Sequence, residues 1–403
     1  MTQEQRIIIQ ILSSQLFNNQ NLPDLSGVCI ESLLNEARQQ AVYAIVYDAI
    51  ADQIKDVDKR VRFKRVSLLD KAQSLRNLHD HNELHRLLIS NEVEYVFIKG
   101  PSAAYYYPVP TLRAMGDVDC LVEQKELERV NKILIDNGFI KSKNTEEHDF
   151  HWEYRKQHIV FELHWDIPGM PLKNNDIIKS YFSDIYEKRI TVENEYGEIF
   201  IPSRLHHGLV ILLHIISHMM GKGVGLRHLC DWLVFENSMS EDEFNRIFEK
   251  PLKDIGLWTF ASVLSGIGIR YFGCNQRSCF DDVDYNICRQ MLDDILEGGN
   301  FGIKDDTRGS QAKLIQSNST KRATSSVFAT GFESVNQKAK IVFPICKNIV
   351  ILRPIGWFIV CIQYMIRVVK KERNNVFSKS IYTNAASRKE LYSQLKLFET
   401  CEK

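Results

Sequence analysis

Apolar residues recur at three- and four-residue spacing through "RIIIQILSSQLF", "ARQQAVYAIVYDAIADQI" and, with mixed charges between them, "LLDKAQSLRNLHDHNELHRLLIS". That period predicts a helical region over residues 1–92. The pattern then changes. "EYVFIKG" is aromatic and β-branched and stops at Gly100-Pro101, which reads as a short strand ended by a turn. "SAAYYY" follows as a short helix opened by Ser102, and a loop with Pro108 and Pro110 leads to a second strand, "DVDCLV". "QKELERVNKILIDNGF" reads as a helix closed by Gly138. "HDFHWEYRKQHIVFELHWDI" reads as two strands joined by a tight turn near Lys156 and Gln157. Residues 93–200 are therefore expected to form an α+β unit around a small sheet.

Helical periodicity returns in "SRLHHGLVILLHIISHMM", "LRHLCDWLVFENS", "EDEFNRIFEKPLKDIG" and "LWTFASVLSGIGIRYFG", which predicts a helical domain over 201–297. Residues 298–340 are rich in Ser, Thr, Asn and Gly and are expected to be a loop or linker. Residues 341–403 are expected to be apolar C-terminal helices. Their segment 341–371 is the most apolar in the chain, but Lys347, Arg353 and two prolines interrupt it. It falls short of the roughly 18 to 20 uninterrupted residues that span a bilayer, so packed helices are expected, with weak membrane contact as the lesser alternative. The expected fold class is α+β: a small mixed sheet with flanking helices, embedded between helical N-terminal and C-terminal regions.

Composition adds mainly exclusions. The 403 residues are 44% hydrophobic and 25% charged, and 51 basic residues balance 51 acidic ones. That is a globular composition with no global charge to attract nucleic acid or an anionic membrane. Nine cysteines are scattered without a CxxC pair, as in a reduced compartment. The N-terminus lacks a basic stretch followed by an apolar core, so a cytoplasmic location is expected.

The chemistry begins with Asp117 and Asp119. Residues i and i+2 of a strand point to one face, which sets two carboxylates side by side in an apolar segment. Their repulsion is relieved by a hard divalent cation, Mg²⁺ or Mn²⁺, which takes carboxylate oxygens and leaves positions for phosphate. Glu162, in the middle of the apolar strand "IVFELHW", offers a third carboxylate, and His164 shares its face. Upstream, Lys99, Gly100 and Ser102 lie in a strand-to-helix turn of the kind that receives anions. Arg113, four residues before Asp117, is expected to neutralise phosphate charge.

This order of strand, glycine turn, helix, DxD strand and acid-bearing strand resembles the DNA polymerase β-like nucleotidyltransferase superfamily. "FIKGPSAAYYYPVPTLRAMGDVDCLV", "FELHWDI", "LLHIISHMMGKGVGLRHLCDWLVF" and "GGNFG" resemble, more closely, the bacterial group described only as uncharacterised nucleotidyltransferases. The resemblance runs from about Leu75 to Arg367. It implies transfer of an NMP from an NTP to an unidentified acceptor with release of pyrophosphate. By it, Asp117 and Asp119 bind metal, Glu162 takes the third carboxylate's role, and Gly100 and Ser102 contact the phosphates, with Lys99, Arg113 and His164 also at the nucleotide. Pro101 departs from the family's turn. Proline has no N–H to donate, so Ser102 is expected to compensate. A non-catalytic nucleotide-binding module of the same fold, and a membrane-associated partner in cell-surface biosynthesis, stay open as alternatives.

Other motifs carry less. His214 and His218 share a helix face, but without the glutamate of HExxH they are expected to be core histidines or to line the nucleotide site. Arg227 and Asp231, at i and i+4, are expected to form an ion pair. "GKGVG" (221–225) and "GGNFG" (298–302) read as flexible connections or phosphate cradles. His148, His151 and His164 raise a zinc site, which alternation of strand faces disfavours. Tyr105, Tyr106 and Tyr107 are expected to pack, with one ring available to stack on a base.

Overall fold

The computed structural model describes residues 1–18, 21–142, 150–157, 159–171, 175–319, 339, 353–369 and 379–399. The N-terminal region is helical, as its periodicity predicts: α1 (Gln3–Phe17), α2 (Ile30–Gln39), α3 (Tyr43–Ile50) and α4 (Val57–Ser90). Thr2 opens α1 with a capping box, its hydroxyl accepting from the Gln5 N–H while the Gln5 side chain accepts from the Thr2 N–H. Asp56 caps α4 by accepting from the Lys59 N–H. Such caps satisfy donors that the first helical turn leaves unpaired.

The α+β unit follows as β1 (Tyr95–Phe97), α5 (Pro101–Ala104), β2 (Val118–Val122), α6 (Leu127–Asp136), β3 (Ile140–Lys141), β4 (His151–Lys156) and β5 (Ile159–His164). These make a five-stranded sheet in the order β1-β2-β5-β4-β3. The β2–β5 pair is parallel and the other pairs are antiparallel. A short helix α7 (Asp176–Tyr181) and a hairpin, β6 (Ile190–Asn194) and β7 (Gly197–Ile201), complete the unit, with β7 lying against α4 and β1. The hairpin is absent from the sequence reading, although "ITVENEYGEIFI" carries a strand-turn-strand pattern.

Period two divides the sheet between two cores. Phe97, Val118, Cys120, Phe161 and Leu163 pack beneath it with Leu84 and Leu88 of α4 and Val130 and Leu134 of α6. Val96, Ile98 and Leu121 point the other way, into a larger core shared with the N-terminal helices and the helical domain. That domain runs through α8 (Arg204–Met219), α9 (Leu226–Asn237), α10 (Glu241–Phe244), α11 (Lys250–Asp254), α12 (Trp258–Ile267) and α13 (Tyr285–Gly298). Trp232, Phe235, Phe244, Phe248 and Phe260 are fully buried in it, and burying an apolar side chain of this size stabilises by about 1.5–3 kcal/mol.

Residues 308–319, expected within the loop, form a helix instead, α14 (Arg308–Ser319). Two further helices follow, α15 (Arg353–Val369) and α16 (Lys379–Gln394). Tertiary partners override the polar composition of α14. Arg308 is buried against Asp294 at 2.9 Å, and Gln311 accepts from Arg388 of α16. Residues 320–338 and 340 of the expected linker lie outside the described residues, as do 341–352 and 370–371 of the apolar segment. No helix among the described residues is long and apolar enough to cross a membrane.

Candidate functional site

Register sets the acids in a row. Asp119 of β2 lies opposite Glu162 of parallel β5, and Glu162 lies opposite Glu153 of antiparallel β4. All three belong to the sheet face that looks toward the helical domain, because their neighbours Val118, Cys120, Phe161 and Leu163 take the other face. Asp117 stands just before the first residue of β2 and reaches solvent, whereas Asp119 is buried. The sequence reading put both in the strand. The structure begins the strand between them and leaves Asp117 at the mouth.

Basic side chains converge on this row. Lys99 Nζ lies 2.7 Å from Asp119 Oδ1. His164, fully buried, sets Nε2 3.0 Å from Asp119 Oδ1 and 3.1 Å from Glu162 Oε2. His151, in register with His164, brings Nε2 to 3.7 Å from Glu162 Oε1. For Asp119, burial works against the charge, but Lys99 and His164 outweigh it and hold the carboxyl well below its usual range. Asp117 behaves oppositely: partial desolvation first, then the charges of Asp119 and Glu162, push it up to about 6. A carboxyl crowded in this way gains from a cation.

The donors of Asp117, Asp119 and Glu162 are all oxygen, which fits Mg²⁺ or Mn²⁺. His151, Glu162 and His164 also bring ligand atoms within 4.8 Å of one another, a mixed set suited to softer ions. His148, the third member of the expected zinc group, lies outside the described residues. The pairing of His151 with His164 across two strands could not be read from spacing within one.

The glycine turn needs its glycine. Gly100 has φ +58°, and a Cβ there would approach the His81 ring to 3.3 Å, so an L side chain is both strained and crowded. Pro101 begins α5, where a missing N–H costs no helical hydrogen bond. Ser102, expected to compensate for Pro101, has its donors engaged within the turn: its buried hydroxyl donates to the Phe97 carbonyl at 2.5 Å and its N–H to the Lys99 carbonyl at 3.2 Å. Both of its donors serve the turn itself.

Arg113 also departs from expectation. Its guanidinium is buried and grips Asp231 of α9 with two hydrogen bonds, Nε to Oδ1 at 2.6 Å and Nη2 to Oδ2 at 2.7 Å. The Tyr107 hydroxyl donates to the same carboxylate at 2.8 Å. Asp231 thus pairs with Arg113 and not, as helical spacing implied, with Arg227. Ser74 and Asn77 of α4 donate to the carbonyls of Arg113 and Gly116, and Arg227 donates to that of Ala114. The loop before Asp117 is held by helices on two sides.

The helical domain supplies the wall facing the acids. His214 and His218 of α8 and His228 of α9 cluster with ring centroids 4.3 to 5.5 Å apart. Burial first, and then the charges of Lys99 and Arg227, keep all three neutral, with His218 lowered to about 4. The sequence reading named the first two histidines but missed His228, Arg227 as a cleft residue, and Glu153. Glu153 alone left a signal, an acid on the same strand face as His151.

No curated protein matches this chain. Among solved structures, an antigenic nucleotidyltransferase-like protein from Paracoccidioides brasiliensis is similar at 15% identity and a TM-score of 0.30, covering 49% of this chain and 92% of that one. The family model described as uncharacterised nucleotidyltransferase matches residues 26–264, more than half of the chain and a span that includes Lys99, Asp117, Asp119, Glu162 and Arg227. The chain therefore belongs to the family of uncharacterised nucleotidyltransferases.

Proposed function

We propose that this protein transfers an NMP from an NTP to an acceptor, releasing pyrophosphate, with Mg²⁺ or Mn²⁺ as cofactor. The observation that carries the reading is the in-register pair Asp119 and Glu162 on adjacent parallel strands, with Asp117 beside it and its carboxyl raised by desolvation and then by their charge. Asp117, Asp119 and Glu162 would hold the cation, which when bound supplies charge neutralisation at the transferred phosphoryl group. Lys99, relieved of Asp119, turns toward the phosphates. Glu162 orients the acceptor and takes its proton as the new P–O bond forms, and His164 steadies Glu162 and Asp119 through Nε2. Nearly all of the catalysis is positioning and electrostatics.

A non-catalytic nucleotide-binding module is favoured by one specific observation, the use of both Ser102 donors inside the turn. A single assay separates the readings: pyrophosphate release from each of the four NTPs with Mg²⁺ or Mn²⁺ and cell extract as the source of acceptor. Signal from the wild type that falls to background in Asp117→Asn/Asp119→Asn supports transfer. Nucleotide binding without any release supports the module, and equal release from both proteins refutes the role given to the acids.

A further inference from the structure

The two glycine-rich segments left unassigned by sequence dock on each other. A Cβ on Gly225 would lie 2.8 Å from the Asn300 backbone, and one on Gly302, at φ +69°, would lie 2.3 Å from the Lys222 carbonyl oxygen. Such backbone approach requires glycine. The contact presents Phe301, a non-glycine residue at φ +55° and 44% exposed, over the histidine wall. Its ring lies 4.8 Å from His218 and 5.5 Å from His228, with the Arg227 guanidinium 5.5 Å from its centroid. A side chain held in this unfavourable backbone region points to a functional constraint.

Arg227 keeps one buried donor, Nε, without a partner among the described residues. Nη1 donates to the Ala114 carbonyl and Nη2 lies 3.2 Å from His228 Nε2. Asp231, one helical turn on, is fully engaged by Arg113. No carboxylate among the described residues pairs with Arg227, and a desolvated cation without a counterion is costly. Lys99 stands across the same cleft, and the charges of both cations reach all three histidines. His214, His218 and His228 have ligand atoms within 4.8 Å of one another, so a transition metal is the competing occupant. A guanidinium 3.2 Å from one ligand nitrogen opposes a cation and favours an anion.

We propose that Arg227, beside the Phe301 ring and flanked by His218 and His228, forms with Lys99 the subsite for the terminal phosphates of the nucleotide. The nucleotide as source of those phosphates rests on the transferase reading; the affinity for phosphate does not. The test is calorimetric binding of inorganic tripolyphosphate to the full chain in EDTA, for wild type, Arg227→Gln and Arg227→Lys, with thermal melts to establish folding. Loss of one charge-assisted contact should weaken binding by about ten- to a hundredfold in Arg227→Gln. Arg227→Lys should fall between, and it keeps the test valid if the glutamine variant does not fold. Displacement of a fluorescent NTP analogue by tripolyphosphate supports the assignment to the nucleotide, and simultaneous binding of the two overturns it. Equal tripolyphosphate affinity in all three proteins overturns the subsite. So does tight Co²⁺ binding lost in His218→Ala without any tripolyphosphate binding. Arg227-dependent binding in a protein that releases no pyrophosphate upholds the subsite and sinks transfer.

Discussion

Removing the Arg113 side chain should unfold the protein's loop clamp before it changes any ligand contact. Arg113 and Asp231 are 5% and 4% exposed, joined by two short hydrogen bonds, with Tyr107 completing the carboxylate's partners. Arg113→Ala leaves a buried Asp231 charge with a single hydroxyl donor, and breaking a pair of this kind costs about 3–5 kcal/mol. Replacing both members by apolar residues of similar volume, Arg113→Met/Asp231→Leu, removes the stranded charge and should recover most of that loss. Urea unfolding followed by tryptophan fluorescence is the direct assay, since buried Trp232 adjoins Asp231 on α9. The expected order of stability is wild type close to the double variant, with Arg113→Ala far below both. The reasoning fails if Arg113→Ala unfolds at the wild-type urea concentration while losing nucleotide affinity. That result would return Arg113 to the phosphate role first read from the sequence.

Two further outcomes follow from the charges around Asp119. Lys99→Met removes the cation that competes for that carboxylate, so Mn²⁺ affinity without nucleotide, read by electron paramagnetic resonance, should rise about tenfold, while pyrophosphate release falls; unchanged Mn²⁺ affinity would refute the competition. Asp117 keeps its proton to about pH 6 in the folded chain against a usual value of 3.8. The folded state therefore binds more protons in that window, and stability in EDTA should fall as pH rises from about 4 to 6. Asp117→Asn should flatten this slope in thermal melts, and identical slopes would refute the assignment. Asp119, whose value is lowered, contributes the opposite slope from about pH 5 downward, and it is present in both proteins, so the comparison with Asp117→Asn reads the Asp117 contribution.

The acid-bearing strands were legible because alternation is a local property. "DVDCLV" and "IVFELHW" each show a dry face, and their acids necessarily take the other. Even so, Asp117 lies outside the strand, and Glu153 entered the row only once β4 was paired with β5. The Pro101 turn illustrates the opposite limit. Proline's missing N–H was evident in the sequence, but the engagement of Ser102 with Phe97 and Lys99 depends on how α5 folds back onto β1.

The sequence by itself determined the period of most elements, the α+β unit between helical regions, and the shared strand face of Asp119 and Glu162 with their apolar neighbours on the other, since local spacing settles these. Tertiary structure alone decided which cation serves which acid. Asp231 sits one helical turn from Arg227 yet is 118 residues from its actual partner, Arg113. Packing of α9 against the loop before β2 made that choice, and it left Arg227 facing the cleft. Glycine content could be counted in "GKGVG" and "GGNFG", but only the close approach of two backbones gave it a purpose. Helical spacing brings neighbours within reach, and burial decides between them, because a charge removed from water must be matched by whatever group the fold places beside it.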